Sequence, residues 1–352
     1  MHQFLYFFPS DSPVLWIRVD PDMQLVRSLD IQQPDFQWQY QLRHERDITA
    51  QLEAVTALER FPTSKAKRAL VDIIEDEKCF YKVRCAACHS LTKVSNAMAS
   101  TSTVEGPPDL LQIFKRIYGS FANSNICKQN EFSNLQSYYL QKEIPLAMAG
   151  LRNTHNICPP EVLKFLLDLF KYNDNSKNSF SDNYYRAAMV EALGKTVTPV
   201  VSVLGVQDVA ITAEALSPDT KLILEEVTRF LNMEKLLPCY KFVVTNSCLR
   251  AIRKLQQTGH LPSKSVIFRD YAEYGQFVDT RLTALECLVD YMKVEGNAND
   301  LDHLLNIVEQ DPVPLIRHKL LRMLVDNPPF EKNRNHKNDT QSLVERLWKL
   351  MK

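Results

Sequence analysis

The feature that most constrains this chain is a three-point pattern that recurs along it. A polar residue is followed by a small or medium-sized residue three positions later and an aliphatic residue seven positions later. The matches are Gln51/Ala54/Leu58, Arg84/Ala87/Leu91, Arg186/Met189/Leu193, Thr245/Cys248/Ile252, Arg281/Ala284/Leu288 and Arg317/Leu320/Leu324, with a fainter one at Ile144/Ala147/Leu151. Positions i, i+3 and i+7 lie on one face of an α-helix. Where no insertion intervenes, neighbouring matches are 33, 36 and 36 residues apart. That distance accommodates one helix pair per repeat, with the pattern on the second helix of each pair.

A lone helix pair cannot bury its apolar stripe, whereas stacked pairs bury each other's. The smaller middle residue lets adjacent helices approach closely. The pattern therefore predicts a mainly α protein, a HEAT/armadillo-like α-solenoid built as a right-handed stack. An irregular bundle of amphipathic helices would also give scattered matches. The recurring arginine and the regular spacing favour the stack.

Glycine usage agrees with this. Only 8 of 352 residues are Gly, against a usual share of roughly 7%, so few tight turns at positive φ are expected. Formal net charge is +0, which implies no bulk attraction to nucleic acid or membrane and leaves only local charged surfaces. The run Met1–Phe8 is apolar, but Pro9, Ser10 and Asp11 end it too early for a signal-peptide core. No apolar stretch approaches the roughly 20 residues of a membrane span. Eight sparse cysteines read as reduced thiols of a cytosolic or nuclear protein.

Residues 1–43 differ from the rest. His2–Phe8, Val14–Val19, Met23–Leu29 and Phe36–Leu42 are short, rich in aromatic and β-branched residues, and separated by turn clusters such as Asp20-Pro21-Asp22 and Gln33-Pro34-Asp35. Trp16, Arg18 and Asp20 alternate with Leu15, Ile17 and Val19, as in a half-buried strand. The expectation is a partial antiparallel β-sandwich over 1–43, followed by a helical repeat domain over 44–352. Four strands do not close a sandwich, so either the module is small or, as we favour, further strands lie outside this sequence. Ile48, Leu52, Val55 and Leu58, then Ala66, Leu70, Ile73 and Ile74, then Val83, Ala87 and Leu91 have helical spacing. Ser95–Pro108, Tyr172–Asn183 and Asn327–Thr340 read as solvated loops. Within Lys195–Thr220 the β-branched run Val197–Val209 reads as a segment packed on the stack, or as one that pairs with a partner strand.

Few motifs suggest chemistry. Cys85-Ala86-Ala87-Cys88-His89 matches the string that attaches c-type haem, but it falls inside a repeat helix with Ala87 on the core face. Ordinary helical cysteines are the expectation, and no second CxxC completes a zinc site. His44-Glu45-Arg46-Asp47-Ile48 begins like HExxH but has Ile48 where the second His is needed. No phosphate-binding or nucleophile-elbow motif occurs. The reading is therefore no enzyme, no cofactor, and no catalytic or metal residue.

Basic residues do cluster. Arg250, Arg253 and Lys254 lie on one predicted helix, Arg317, Lys319 and Arg322 on another, and Lys82 and Arg84 on an earlier one. They read either as snorkelling faces and inter-repeat hydrogen bonds or as a ridge for an acidic partner or a phosphate backbone. The first six are the candidate partner-binding residues.

Val14-Leu15-Trp16-Ile17-Arg18-Val19-Asp20, the strand-like segments after it and the switch to helical repeats resemble the back half of the zinc aminopeptidase family. In that family a β-sandwich precedes a HEAT-like superhelix. Trp16–Met23, Phe36–Arg43 and Tyr81–Ala86 resemble its catalytically dead branch, the aminopeptidase-like TBP-associated factors of the general transcription factor TFIID. The resemblance implies a nuclear, non-catalytic scaffold that supports TFIID assembly and core-promoter recognition. It implies as partners other TFIID subunits, among them the largest and the eighth TBP-associated factors, with TBP and promoter DNA reached through the complex. No position here matches the family's HExxH-bearing region, so neither catalytic residues nor that region's DNA contacts carry over. The enzyme-class alternative is the superhelical part of an active zinc aminopeptidase.

Overall fold

The computed structural model describes residues 13–99, 108–121, 123–199, 216–295, 298–328 and 340–351. The chain divides into two compact units, Met1–Asp168 and Leu169–Lys352.

The first unit holds α1 (Asp35–His44), α2 (Ile48–Leu58), α3 (Ser64–Glu75), α4 (Tyr81–Ala99), α5 (Asp109–Tyr118) and α6 (Leu135–Met148). The next helix, α7 (Pro160–Tyr172), falls across the division. Local chemistry sets the starts. Asp47 accepts from the Thr49 amide at α2, Thr63 from Ala66 at α3, and Asn134 from Ser137 at α6; each satisfies a donor that the first helical turn leaves free. The helices pack as pairs, α1 with α2, α3 with α4 and α5 with α6, and the second members stack, α2 on α4 and α4 on α6.

The second unit repeats the arrangement with α8 (Asn183–Thr196), α9 (Pro218–Leu236), α10 (Val243–Gln257), α11 (Val266–Ala272), α12 (Val278–Val294), α13 (Ala298–Gln310), α14 (Pro314–Asp326) and α15 (Gln341–Met351). Here α8 packs on α10, α10 on α12 and α12 on α14, while α9, α11 and α13 pair with the helices that follow them. Gly194 sits where α8 meets α10. A Cβ at that position would lie 3.1 Å from the Ala251 Cα, so the close approach depends on the missing side chain.

Six of the seven repeat matches fall wholly within a helix, while Ile144/Ala147/Leu151 begins in α6 and ends beyond it at Leu151. The middle residues Ala54, Ala87, Ala147, Met189, Cys248, Ala284 and Leu320 are buried, as are Leu58, Leu91, Leu151, Leu193 and Leu288 at the third position; Ile252 and Leu324 are half-buried against the core.

The β-sandwich expectation is corrected: the described residues contain no strand, only two isolated bridges. Phe36–Leu42 lies inside α1. Its aromatic/Gln alternation mimics a strand, but Trp38, Gln41 and Leu42 are the residues that a helix brings to one face, and these three are buried. Pro34 at the N-cap and Asp35 in the first turn start the helix. Val14–Val19 and Met23–Leu29 have no regular structure. Leu15, Ile17 and Val19 point outward, while Trp16 and Arg18 are half-buried. The period of two is real, but the polar side faces the helices. The Ile17 amide donates to the Gln33 side chain at 2.8 Å rather than to a neighbouring strand. Arg18 pairs with Glu45 and Asp47 at the turn between α1 and α2. His2–Phe8 lies outside the described residues.

The loop expectations fare unevenly. Residues 173–182 form a loop, whereas Ser95–Ala99 continue α4. Residues 100–107, most of Val197–Val209, and 329–339 lie outside the described residues. No described helix is long and apolar enough to cross a membrane.

Candidate partner-binding surface

The recurring polar position has a specific job. In α4, Arg84 is buried and its Nε donates to the Ile74 carbonyl at 2.9 Å. In α12, Arg281 is buried and its Nε donates to the Ala272 carbonyl at 2.9 Å. In α2, the Gln51 side-chain Nε2 donates to the Glu45 carbonyl at 2.9 Å. Each acceptor lies at or next to the C-terminal end of the preceding helix, where carbonyls have no intrahelical partner. One long donor on the second helix thus fastens the turn of its own pair.

Three repeats vary the theme. Thr245 is too short to reach a carbonyl, and its hydroxyl approaches the Glu234 carboxylate of α9 at 3.5 Å. Arg186 bonds Asp182, the N-cap residue of its own helix, at 3.1 Å. The Arg317 Nε is buried without a partner among the described residues. At the faintest match Ile144 has no donor, and the α5/α6 pair is joined instead by the Tyr118 hydroxyl donating to the Ser137 carbonyl at 2.9 Å.

The seams between repeats carry polar contacts, most of them 31–37 residues apart in sequence and, from α4 to the end of α6 and the turn after it, 54–55 apart. In the first unit Ser90 and Lys93 of α4 reach Glu59 at 2.7 and 2.8 Å, Thr92 donates to the Ala147 carbonyl at 2.9 Å, and Asn96 to Gly150 at 2.9 Å. In the second unit Arg250 and Arg253 of α10 pair with Glu286 and Asp290 of α12 at 3.2 and 2.6 Å, and Lys293 donates to Asn327 at 2.7 Å.

These contacts sort the candidate ridge. Arg253 is buried, held by Asp290 and Glu295, with its guanidinium 5.4 Å from the Tyr291 ring; it builds the seam. Arg250 is exposed but spent on Glu286. Arg317 is half-buried. Lys254, Lys319 and Arg322 face solvent; the first two carry no ion pair among the described residues, and Arg322 makes a loose 3.7 Å contact with Asp326 on its own helix. The structure does not bring the six into one row, because α12 and its carboxylates separate α10 from α14. Sequence could not supply the acceptors: Ile74 and Ala272 act through backbone oxygens, and the seam carboxylates come from distant helices.

The cysteine string lies within α4. Burial pushes the Cys85 thiol up to about 12, helped by the Glu143 charge, and raises Cys88 well above the usual thiol range. Both therefore stay protonated and unreactive near neutrality. His89 is engaged by Glu143 at 2.7 Å. His44 ends α1 and Ile48 begins α2, so the HExx near-match straddles a helix break. Among the described residues no group of three His, Cys, Asp or Glu is placed to hold a metal ion.

A family model described as TAF2-like, TPR repeats matches residues 35–352. Transcription initiation factor TFIID subunit 2 of Drosophila melanogaster is 59% identical over 338 residues, covering 96% of this chain and 27% of the fly protein. The same-named protein of Gallus gallus is 56% identical over 342 residues, 97% of this chain and 29% of its own length. That of Caenorhabditis elegans is 35% identical over 350 residues, 97% and 32%. The chain thus spans about a third or less of the relatives it matches. Their shared name gives no support to the aminopeptidase alternative. The family description also places the repeats with TPR rather than HEAT or armadillo units. Matched over nine-tenths of its length, with its helix pairs where that pattern puts them, the chain belongs to the TAF2-like TPR-repeat family.

Proposed function

We propose that this chain is the helical-repeat part of a non-catalytic TFIID subunit, acting in the nucleus as a scaffold for complex assembly and core-promoter recognition. The observation that carries the reading is the 59% identity over 96% of the chain to the fly TFIID subunit 2. Supporting it, Gln51, Arg84 and Arg281 at the recurring polar position are absorbed in fastening their helix pairs, and burial raises the Cys85 and Cys88 thiols. Its partners on this reading are other TFIID subunits, the largest and the eighth TBP-associated factors among them, with TBP and promoter DNA reached through the complex.

The exposed cations Arg250, Lys254, Lys319 and Arg322 are an electrostatic supplement to that assembly, and Arg253 and Arg317 act behind them as structural residues. Affinity purification of the tagged chain from nuclear extract tests the proposal: other TFIID subunits should come down with it, and their absence would overturn it. Reversing the charges of Lys254, Lys319 and Arg322 should weaken capture more at low than at high salt. Unchanged capture at low salt would remove these residues from the surface.

A further inference from the structure

The turns α9–α10 and α11–α12 in the second unit depart from the other turns. Between them lies a cavity of about 320 Å³ lined by Leu231, Glu234, Phe242, Asp270, Phe277 and Thr280, among others. Around it the turns expose Leu236 at 81%, Leu237 at 75%, Tyr240 at 70% and Tyr274 at 73%. Single exposed apolar residues are ordinary, but a concentration next to a cavity marks a binding surface.

The backbone is bent to make this shape. Lys241 and Phe242 both have positive φ, 55° and 51°, which is rare for a bulky aromatic residue and costs free energy that the surroundings must offset. The bend places the Phe242 ring against Phe277, with centroids 5.7 Å apart, so each turn contributes one wall. Next to the lining residue Gln276, a Cβ built on Gly275 would meet nothing within 4 Å, which leaves room for another backbone to approach.

Two polar observations point to an occupant. Thr280 is 2% exposed, lines the cavity, and its hydroxyl has no hydrogen-bond partner among the described residues, a state that native structures seldom leave uncompensated. Glu234 and Asp270 also line it, and among the described residues neither has a cation within ion-pair distance, although Lys235 is another lining residue; one Glu234 oxygen already accepts from the Cys239 amide and the Thr245 hydroxyl. Further along the same unit, Asp290, Asp300, Asp311 and Glu309 are each paired with an arginine. The site thus offers an apolar slot, an unused hydroxyl and two unneutralised carboxylates.

We infer that this cavity is a docking site for an extended peptide segment of a partner protein, carrying a bulky aliphatic or aromatic anchor beside a lysine or arginine. The anchor fills the cavity, against the wall that Phe242 and Phe277 form together. The peptide backbone passes over Gly275 and bonds the Thr280 hydroxyl, and the cation meets Glu234 and Asp270. The exposed apolar residues extend past the cavity along both turns, which a chain covers and a small molecule does not. This inference is independent of the complex named above.

The test is selection of a randomised peptide display library against the full 352-residue chain. The counter-target is the doubly substituted Leu237→Asp/Tyr240→Ser chain, whose changes lie at exposed positions; circular dichroism confirms its fold. The expected result is enrichment of peptides with an apolar anchor next to Lys or Arg. Fluorescence anisotropy should show them binding the substituted chain at least tenfold more weakly, with a similar loss when their basic residue is replaced by Glu. No enrichment, an acidic consensus, or equal affinity for both chains would overturn the proposal. So would a concentration-dependent dimer in sedimentation that the double substitution abolishes, because the occupant would then be a second copy.

Discussion

Arg84 in the first unit and Arg281 in the second occupy the same position of the same repeat, yet they are buried at different electrostatic cost. Arg84 gives its Nε to the Ile74 carbonyl, a neutral acceptor. Arg281 gives its Nε to the Ala272 carbonyl and its terminal nitrogens to the buried Asp311, the Nη1 bond at 3.3 Å. Asp311 lies between α13 and α14, so Arg281 fastens its own helix pair and also joins it to the next. The comparison teaches that one sequence signal encodes a turn clip, and that a carboxylate some 30 residues downstream converts the clip into an inter-repeat tie.

The sharpest way to break the comparison is to remove that carboxylate. Asp311→Ala leaves a buried guanidinium uncompensated and should cost about 3–5 kcal/mol. Pairing Arg281→Met with Asp311→Leu should recover much of the loss, as urea unfolding would show; a double variant no better than Asp311→Ala contradicts the account. Arg84→Met removes only a neutral clip and strands one carbonyl, so roughly 1–3 kcal/mol is expected. A loss as large as that of Asp311→Ala would erase the distinction between the two arginines.

Acid should separate the sites as well. Burial pushes the Asp311 carboxyl up, but the Arg281 bond, the Val313 amide and the charges of Arg281 and Arg317 outweigh it, and the net is below the ordinary 3.8. A carboxyl depressed in the folded state stabilises the fold above its unfolded value and loses that contribution as pH falls through its folded value. The stability gap between the native chain and Asp311→Asn should therefore be constant above about pH 5 and shrink below about pH 4. The gap between the native chain and Arg84→Met should show no such slope. The smallest effect belongs to the surface: Arg322→Glu should change stability by about 0.5 kcal/mol or less, because its one ion pair among the described residues is exposed and long.

The helix pairs were legible because burial every third and fourth residue leaves a direct trace, and Ala54, Ala87 and Ala284 sit where that trace puts them. The recurring arginine was legible as a position but ambiguous in role. A long cation on a helix face reads equally as a ridge or as a clip until its acceptor is seen, and the acceptors at Ile74 and Ala272 are backbone oxygens. Residues 36–42 misled for a different reason. Alternating aromatic and Gln residues satisfy a period of two and also place Trp38, Gln41 and Leu42 on one helical face, and packing against α2 and α3 decides for the helix. The cavity beside Thr280 left no sequence trace, since it depends on the positive φ of Lys241 and Phe242.

The central claim is that the repeated polar position fastens helix pairs and is not itself a binding surface. Arg281→Met tests it most directly, with urea unfolding and capture of other TFIID subunits read on the same preparation. The account predicts a stability loss of about 3–5 kcal/mol, as the Ala272 carbonyl loses its donor and the buried Asp311 carboxylate is left without its cation, with capture retained in conditions where the variant stays folded. Unchanged stability with lost capture would contradict it.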